Sequence, residues 1–451
     1  MKITTKSIIL LIVSLFVSNS VAFSKTDSNT ITLVRMFSKD IFETNGAPFL
    51  KPMVQSMNAT SNSRFFNSAY VPRQVRKPYF KVSVNTMLGF VPEDYKTYNP
   101  TLPLENFNLG KMGEFIEIID ITKNKYLIKD TIGLAYYAFK TIITDAINKK
   151  YVTLPKTSTT ILGNEKAAIN LPHDSLMKAM REHPAYALLP AAMKDTLAKY
   201  IGQFPETFNL PPGLNMTKFF AAIPQVEIGS LFGTEALVRF IPPVDMGENI
   251  GKFAFWGIGL KHNISQYFTD YKRYAELSPD EYDSLRSMGE TPFDLAAQFV
   301  YQGTYLENKV GVTNAELDAK AQMFDFNLQF SKRFCKYFEM YAAYSYEMMN
   351  INANYKYTIP WELQIKLGMV TEKLDSKGKP IIDPATGWPI YEARPPQFPG
   401  DLHPQTSLVK LHDENHKFIV GANVILGKFN IFVDYNISKF SIFTAGVSYR
   451  F

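Results

Sequence analysis

Cysteine is almost absent from the chain: Cys335 stands alone among 451 residues, so no internal disulfide can hold the fold. Beyond the first 25 residues no run approaches the roughly 18 continuous apolar residues that a membrane-crossing helix needs. Charge is modest as well. Charged residues make up 20% of the chain and the net charge is +6, too weak and too dispersed for a nucleic-acid surface. Glycine-rich phosphate loops and the GxSxG nucleophile pattern are missing. The histidines are scattered. His412 and His416 are four apart, but they lead into a strand, where that spacing does not converge two rings on a metal. No metal, no cofactor and no enzymatic activity is expected. The one enzyme class these absences leave open is a barrel-wall lipid hydrolase, whose converging residues leave little linear signature.

What the sequence has in quantity is aromatic side chains, 14% of the chain, with 35 Phe and 25 Tyr. They are concentrated in alternating segments. The last eleven residues read SIFTAGVSYRF: Phe443, Ala445, Val447, Tyr449 and Phe451 share one face of a strand, while Thr444, Gly446, Ser448 and Arg450 share the other. A soluble sheet seldom ends on a bare aromatic edge. A closed barrel does, because its last strand pairs with its first.

The same parity recurs upstream. Over 79–91, Phe80, Val82, Val84, Leu88 and Phe90 oppose Lys81, Ser83 and Asn85. Phe324, Phe326, Leu328 and Phe330 oppose Asp325, Asn327, Gln329 and Ser331. Phe338, Met340, Tyr344 and Tyr346 oppose Glu339, Ser345 and Glu347. Segments 418–426 and 429–437 repeat the pattern, and weaker strands are expected over 219–228, 235–241, 252–262 and 292–306. Each is near the ~10 residues of a tilted spanning strand. The expected fold is all-β dominated, an antiparallel transmembrane β-barrel of about 10–14 strands with a helical N-terminal segment and helical insertions.

Residues 1–22 read as a secretory signal peptide: a basic start at Lys2 and Lys6, an apolar core, and small residues at Ser20-Val21-Ala22. Residues 23–78 form a helical segment before the first strand, a plug for the barrel or a cap beside it. Its apolar stripe suggests two short helices broken around Asn45-Gly46-Ala47-Pro48. Residues 79–451 form the barrel, with an inserted helical region at about 122–210 and a long loop at about 354–414. Within the insertion, Ile132, Tyr136, Phe139, Ile143 and Ile147 share one helical face, a second helical stretch covers 174–201, and 114–121 with 157–162 form a candidate strand pair. Short turns at one end (Gly427-Lys428, 334–336, 229–233) contrast with the long loop, except that 263–291 is long and falls on the short-turn side.

The inward set supplies the candidate lumen-lining residues Lys81, Asn85, Asp325, Asn327, Gln329, Glu339, Glu347, Asp434 and Arg450, with Asp294 and Gln298 beside them. Mixed-sign polar groups of this kind line a wet channel, or pair with one another and with a plug. Two functions follow. One is passive uptake of a small apolar or amphipathic solute through a plugged channel; the other is a scaffold that binds another envelope protein through its long loops. The expected partners are outer-membrane lipid, the barrel assembly machinery through the C-terminal strand, and a hydrophobic small-molecule solute, with no nucleic acid.

Three segments carry a family resemblance: KPYFKVSVNTMLGFVPEDYKTY, GKFAFWGIGLKHNISQYF and FNIFVDYNISKFSIFTAGVSYRF. In order and character they resemble an uncharacterised family of outer-membrane β-barrels from double-membrane bacteria, and more distantly the long-chain fatty-acid transporter superfamily. The first resemblance implies the fold and an address in the bacterial outer membrane. The second implies a barrel closed by an N-terminal hatch, for which 27–70 is the matching segment. Neither transfers a ligand-site residue.

Overall fold

The computed structural model describes residues 26–72, 78–120, 125–188, 191–245, 251–268, 274, 277–310, 315–382 and 389–451. The signal peptide expected at 1–22 lies outside them. Alternating side chains build ten antiparallel strands, each hydrogen-bonded to two neighbours, that close into a barrel. In chain order they are β1 (Tyr79–Phe90), β2 (Lys218–Leu231), β3 (Thr234–Asp245), β4 (Lys252–Asn263), β5 (Asp294–Val310), β6 (Ala315–Cys335), β7 (Phe338–Tyr357), β8 (Gln405–Leu426), β9 (Phe429–Ile437) and β10 (Ile442–Arg450). Consecutive strands are neighbours throughout. Closure is β1 against β10, with Val82 opposite Tyr449, Val84 opposite Val447 and Leu88 opposite Phe443. These are apolar cross-strand pairs on the outer face, the contacts that fix register in a sheet.

Phe80, Val84, Phe326, Leu328, Phe418, Val433, Phe443 and Val447 all point outward and are exposed. Their opposite numbers on the inner face are buried: Ser83, Asn85, Asp325, Asn327, Glu339, Lys417, Asp434 and Ser448. The exterior is thus an apolar band, while the interior holds these polar groups together with apolar side chains that pack on the N-terminal segment.

The barrel wall is uneven. β6, β7 and β8 run to 21, 20 and 22 residues, whereas β9 and β10 have 9 each. The tall side rises at the end that carries the long connections, 91–217 and 358–404. The opposite end has tight turns at 232–233, 336–337 and 427–428, plus the longer segment 264–293. That segment holds a helix whose capping box joins Ser278 and Glu281.

The N-terminal segment is one helix, α1 (Ser28–Ser61), of 34 residues and so about 50 Å long. The break expected near Asn45–Pro48 does not occur, although Pro48 and Pro52 lie inside the helix. Proline normally ends a helix by removing an N–H and crowding the carbonyl four residues back. Here neighbouring side chains and burial override it. The Asn45 amide donates to the carbonyls of Ile41 and Thr101, at 2.8 Å each, and Asn45 Oδ1 accepts from the Thr101 N–H. Phe42, Phe49, Leu50 and Met53 are buried along the same stretch against Met87, Phe219, Ile223 and Phe255 of the barrel.

The insertion forms a cap from α2 (Leu109–Phe115), α3 (Thr131–Asn148), α4 (His173–Glu182), α5 (Pro184–Leu188) and α6 (Ala191–Gln203). Asp130 caps α3 by accepting the Gly133 N–H at 2.8 Å. The first half of α1 is this cap's core. Phe37 meets Phe139, Phe204 and Phe208 edge-on at 5.6, 5.5 and 5.2 Å. The strand pair expected between 114–121 and 157–162 is not formed. Ile116–Asp120 pairs with Lys125–Ile128, and Ser158–Thr159 with Thr97–Tyr98. The first of these pairings closes a much shorter loop than the expected one would.

The outer face generates a prediction. Val447→Arg, in mid-strand on the apolar band, should cost about 2–4 kcal/mol of folding in lipid, and Phe451→Arg at the rim about 0–1 kcal/mol. Heat-modifiable gel mobility across a urea titration reads both; equal losses would mean that lipid does not cover the band.

Candidate functional site

Two places stand out from the strand pairing that closes the barrel: the clamp that holds the N-terminal segment in the lumen, and a seam in the wall beside it.

The lower end of α1 stops inside the barrel, where its last carbonyls meet little water and need donors. The hydroxyls of Thr60, Ser61 and Ser63 supply some, to the carbonyls of Ser56, Met57 and Ala59, and two inner-face cations supply others. Arg239 of β3, 1% exposed, donates to the Ser61 and Ser63 carbonyls at 3.2 and 2.8 Å and to that of Arg64, and its Nε reaches Gln225 at 2.6 Å. Lys417 of β8 approaches the carbonyls of Ala59 and Asn62 at 3.5 Å and pairs with Glu347. Both positive charges sit at the negative end of the helix dipole. Just beyond the helix, Arg64 has a left-handed φ of 66°.

Arg64 is itself a clamp. Its guanidinium donates to the Asp434 carboxylate and the Tyr341 hydroxyl, and lies 3.5 Å from the centre of the Phe432 ring. Tyr341 also donates to Asp434 at 2.9 Å, and Asn436 to the other Asp434 oxygen at 2.7 Å. Room for the Tyr341 ring exists because position 421 is glycine; a Cβ there would lie 2.3 Å from the ring.

Below this level the segment continues toward the short-turn end. Lys81 pairs with Glu227 and donates to the Asn67 amide oxygen at 3.2 Å, and Lys261 pairs with Glu235 and donates to the Ser68 carbonyl at 3.1 Å. Ser68 donates to Glu339 at 2.6 Å. Arg286, from α7 (Pro279–Ser287), donates to Glu339 at 2.6 Å and to Asp294 at 3.1 Å, and covers the Tyr70 ring at 4.1 Å. With the Ala69 N–H donating to the Ser331 hydroxyl at 3.1 Å, residues 58–71 are tied to β1, β3, β4, β6, β7, β8 and β9.

Of the residues proposed to line the lumen, Lys81, Asn85, Asp325, Asn327, Gln329, Glu339, Glu347 and Asp434 are all buried on the inner face. They meet one another and the N-terminal segment. Asn85 reaches Ser83 at 3.3 Å; Asp325 accepts from Ser345 and Asn327; Gln329 donates to Gln298 at 2.7 Å. Arg450 departs from the set. It is exposed at the mouth, level with Lys81, and its guanidinium rests 4.3 Å above the Tyr79 ring instead of entering the cluster. The like charge of Lys81 opposite and water at the rim favour that position. Arg64, Arg239 and Lys261 were missed from sequence: the first lies in a loop, and the others in strands whose alternation is interrupted.

The seam lies between β2 and β3. β2 pairs with β1 along its whole length, from Lys218 to Gly229. With β3 it pairs only from Gln225 to Leu231, against Arg239 to Thr234. Among the described residues, 218–224 have no ladder partner on the β3 side, and 240–245 have none on the β2 side. Sequence explains the split. Pro224, Pro242 and Pro243 sit where the two strands separate, and proline cannot donate to a ladder. β3 and β4 carry an irregularity at Phe253/Phe255 on the same side.

A cavity of about 560 Å³ fills the split. Phe220, Ala222 and Val244, from the outer face, line it together with Phe219, Phe253 and Met57, which are turned inward. The space therefore joins the exterior band to the flank of α1, with Lys218 as its only charged lining residue among those described.

A family model described as "Family of unknown function (DUF6588)" matches residues 1–451. The chain belongs to that family. No curated protein matches it. Among solved structures, Acinetobacter baumannii OccAB4 aligns at 8% identity, covering 84% of this chain and 99% of that one, with a TM-score of 0.12. At that score nothing is carried over. The closed barrel rests on its own strand pairing.

The clamp generates the second prediction. Asp434→Ala leaves the Arg64 guanidinium buried without its anion, which should cost about 3–5 kcal/mol. Limited proteolysis should then cut within 58–72. Adding Arg64→Met to Asp434→Ala should restore most of the protection; equal cleavage of single and double variants would show that the buried charge is not what matters.

Proposed function

We propose that the protein lies in the bacterial outer membrane and admits a small apolar or amphipathic solute, which leaves sideways through the β2–β3 seam rather than straight through the lumen. The observation that carries this is the 560 Å³ cavity lined by residues of both barrel faces. A wet pore would need an open polar lumen. Here 58–71 run through the inner-face clusters, while the space at the wall is apolar. An apolar solute loses nothing by entering lipid from such a cavity, and an ion would lose its hydration.

In this reading the apolar band meets outer-membrane lipid, the short turns face the periplasm, and the capped end faces outward. The terminal strand, with Tyr449 and Phe451, is the segment offered to the barrel assembly machinery. The buried charges act structurally, and no catalytic role is assigned to them.

Purified protein in liposomes should speed entry of a fluorescent fatty acid or an apolar dye and leave potassium flux at the level of empty lipid. Ala221→Trp, which fills the seam from the inner side, should reduce solute entry at least about tenfold without changing heat-modifiable mobility; a change of that size is worth roughly 1.4 kcal/mol. Solute entry no faster than in empty liposomes, or ion conduction through the wild type, would overturn the proposal.

A further inference from the structure

A second apolar cavity, of about 270 Å³, lies in the cap, away from the seam. Its origin is in the sequence of α3. The stripe Tyr136, Phe139 and Ile143 packs into the core shared with α1. An adjoining stripe, Leu134, Ala138 and Thr141, with Ala135 and Ile142 shared between it and that core, lines the cavity. A helix with so wide an apolar face needs cover across all of it. Here α4, α5 and α6 stand across from the adjoining stripe, and the small side chains of Ala135, Ala138 and Ala185 leave the space between them unfilled. The pocket is partly open to the surface, and its volume lies near the lower bound of about 300–1,000 Å³ for small-ligand sites.

The polar groups around it narrow the chemistry. Among the described residues no Lys, Arg, Asp or Glu lines the cavity. The Tyr137 hydroxyl is engaged by the backbone of Asn108, and Thr141 donates to the Ala138 carbonyl at 2.8 Å. His183 differs. Its Nδ1 accepts the Ala185 N–H at 3.2 Å, and burial lowers the pKa of the ring below the usual histidine value. In a neutral ring whose Nδ1 accepts, Nε2 carries the proton. Nε2 makes no hydrogen bond with the described residues, and Phe107 fixes the ring edge-on at 5.2 Å.

We propose that this cavity binds a small uncharged apolar molecule bearing one hydrogen-bond acceptor, its body against α3, Met112, Met180 and Met193 and its acceptor on His183 Nε2. The lining gives a carboxylate no direct cation, the nearby Lys111 and Lys194 being set over the rings of Tyr137 and Tyr186, so a ketone, ester or alcohol on an apolar frame is the class that fits. The site stands whether or not the barrel conducts.

The three methionines make the test local. Full-length protein in lipid nanodiscs, labelled with 13C at the methionine methyls, is titrated with 2-acetylnaphthalene, and naphthalene is the comparator without an acceptor. Saturable shifts are expected at Met112, Met180 and Met193, with naphthalene binding about fivefold more weakly, the value of one net hydrogen bond. His183→Phe should bring the two probes to equal affinity, and Ala138→Phe should remove the shifts. Unshifted methyls in the wild type, or equal binding of both probes to it, would overturn the proposal. The wild-type comparison decides the matter even if a variant fails to fold.

Discussion

A helix that ends inside a barrel sets the terms for everything around it. The last carbonyls of α1 have no continuing helix; the hydroxyls of Thr60, Ser61 and Ser63 take those of Ser56, Met57 and Ala59, and the barrel wall brings donors to the ones that follow. Arg239 and Lys417 do so from opposite parts of the wall, one on β3 and one on β8. Each brings a buried charge, and each charge calls for a further partner, Gln225 for one and Glu347 for the other. Arg64 follows at once and needs Asp434, which in turn collects Tyr341, Asn436 and Thr444. The polar interior is thus a connected consequence of where one helix stops.

That interior also divides the molecule. Around 58–71 the lumen is held by charge-assisted hydrogen bonds on several strands, and the same segment reaches α7 through Ser68, Tyr70 and Arg286. Alongside, the wall between β2 and β3 has no ladder over several residues on each strand. Strong directional bonds in the centre and missing ones at the side make the seam the weaker element. The space left there is lined by residues from both faces of the wall and by the flank of α1.

The cap belongs to the same construction. The upper half of α1 supplies Leu33, Val34 and Phe37 to a core made by the insertion, while its lower half packs on strands. One continuous helix joins the two bodies, and Arg35 with Asp401 ties the second long connection to it at 2.8 Å. The proline-bearing turns of α1 are kept helical by what surrounds them.

The sequence alone determined the barrel, because period-two alternation with Phe, Tyr and Val on one face and Ser, Asn and Asp on the other has few other uses. It also determined closure through the aromatic terminal strand, which end of the barrel carries the short turns, and which face of β1, β6, β7, β8, β9 and β10 turns inward. These are local properties, written residue by residue. Only the tertiary structure decided that α1 runs unbroken past Pro48 and Pro52, since burial against the barrel outweighed a local breaking signal. Only it decided that Arg64, Arg239 and Lys261 join the buried set while Arg450 stays at the mouth, because those positions depend on partners far away in the chain. The seam stands between the two cases. Pro224, Pro242 and Pro243 were visible as residues, but a missing ladder exists only once two strands have been brought side by side.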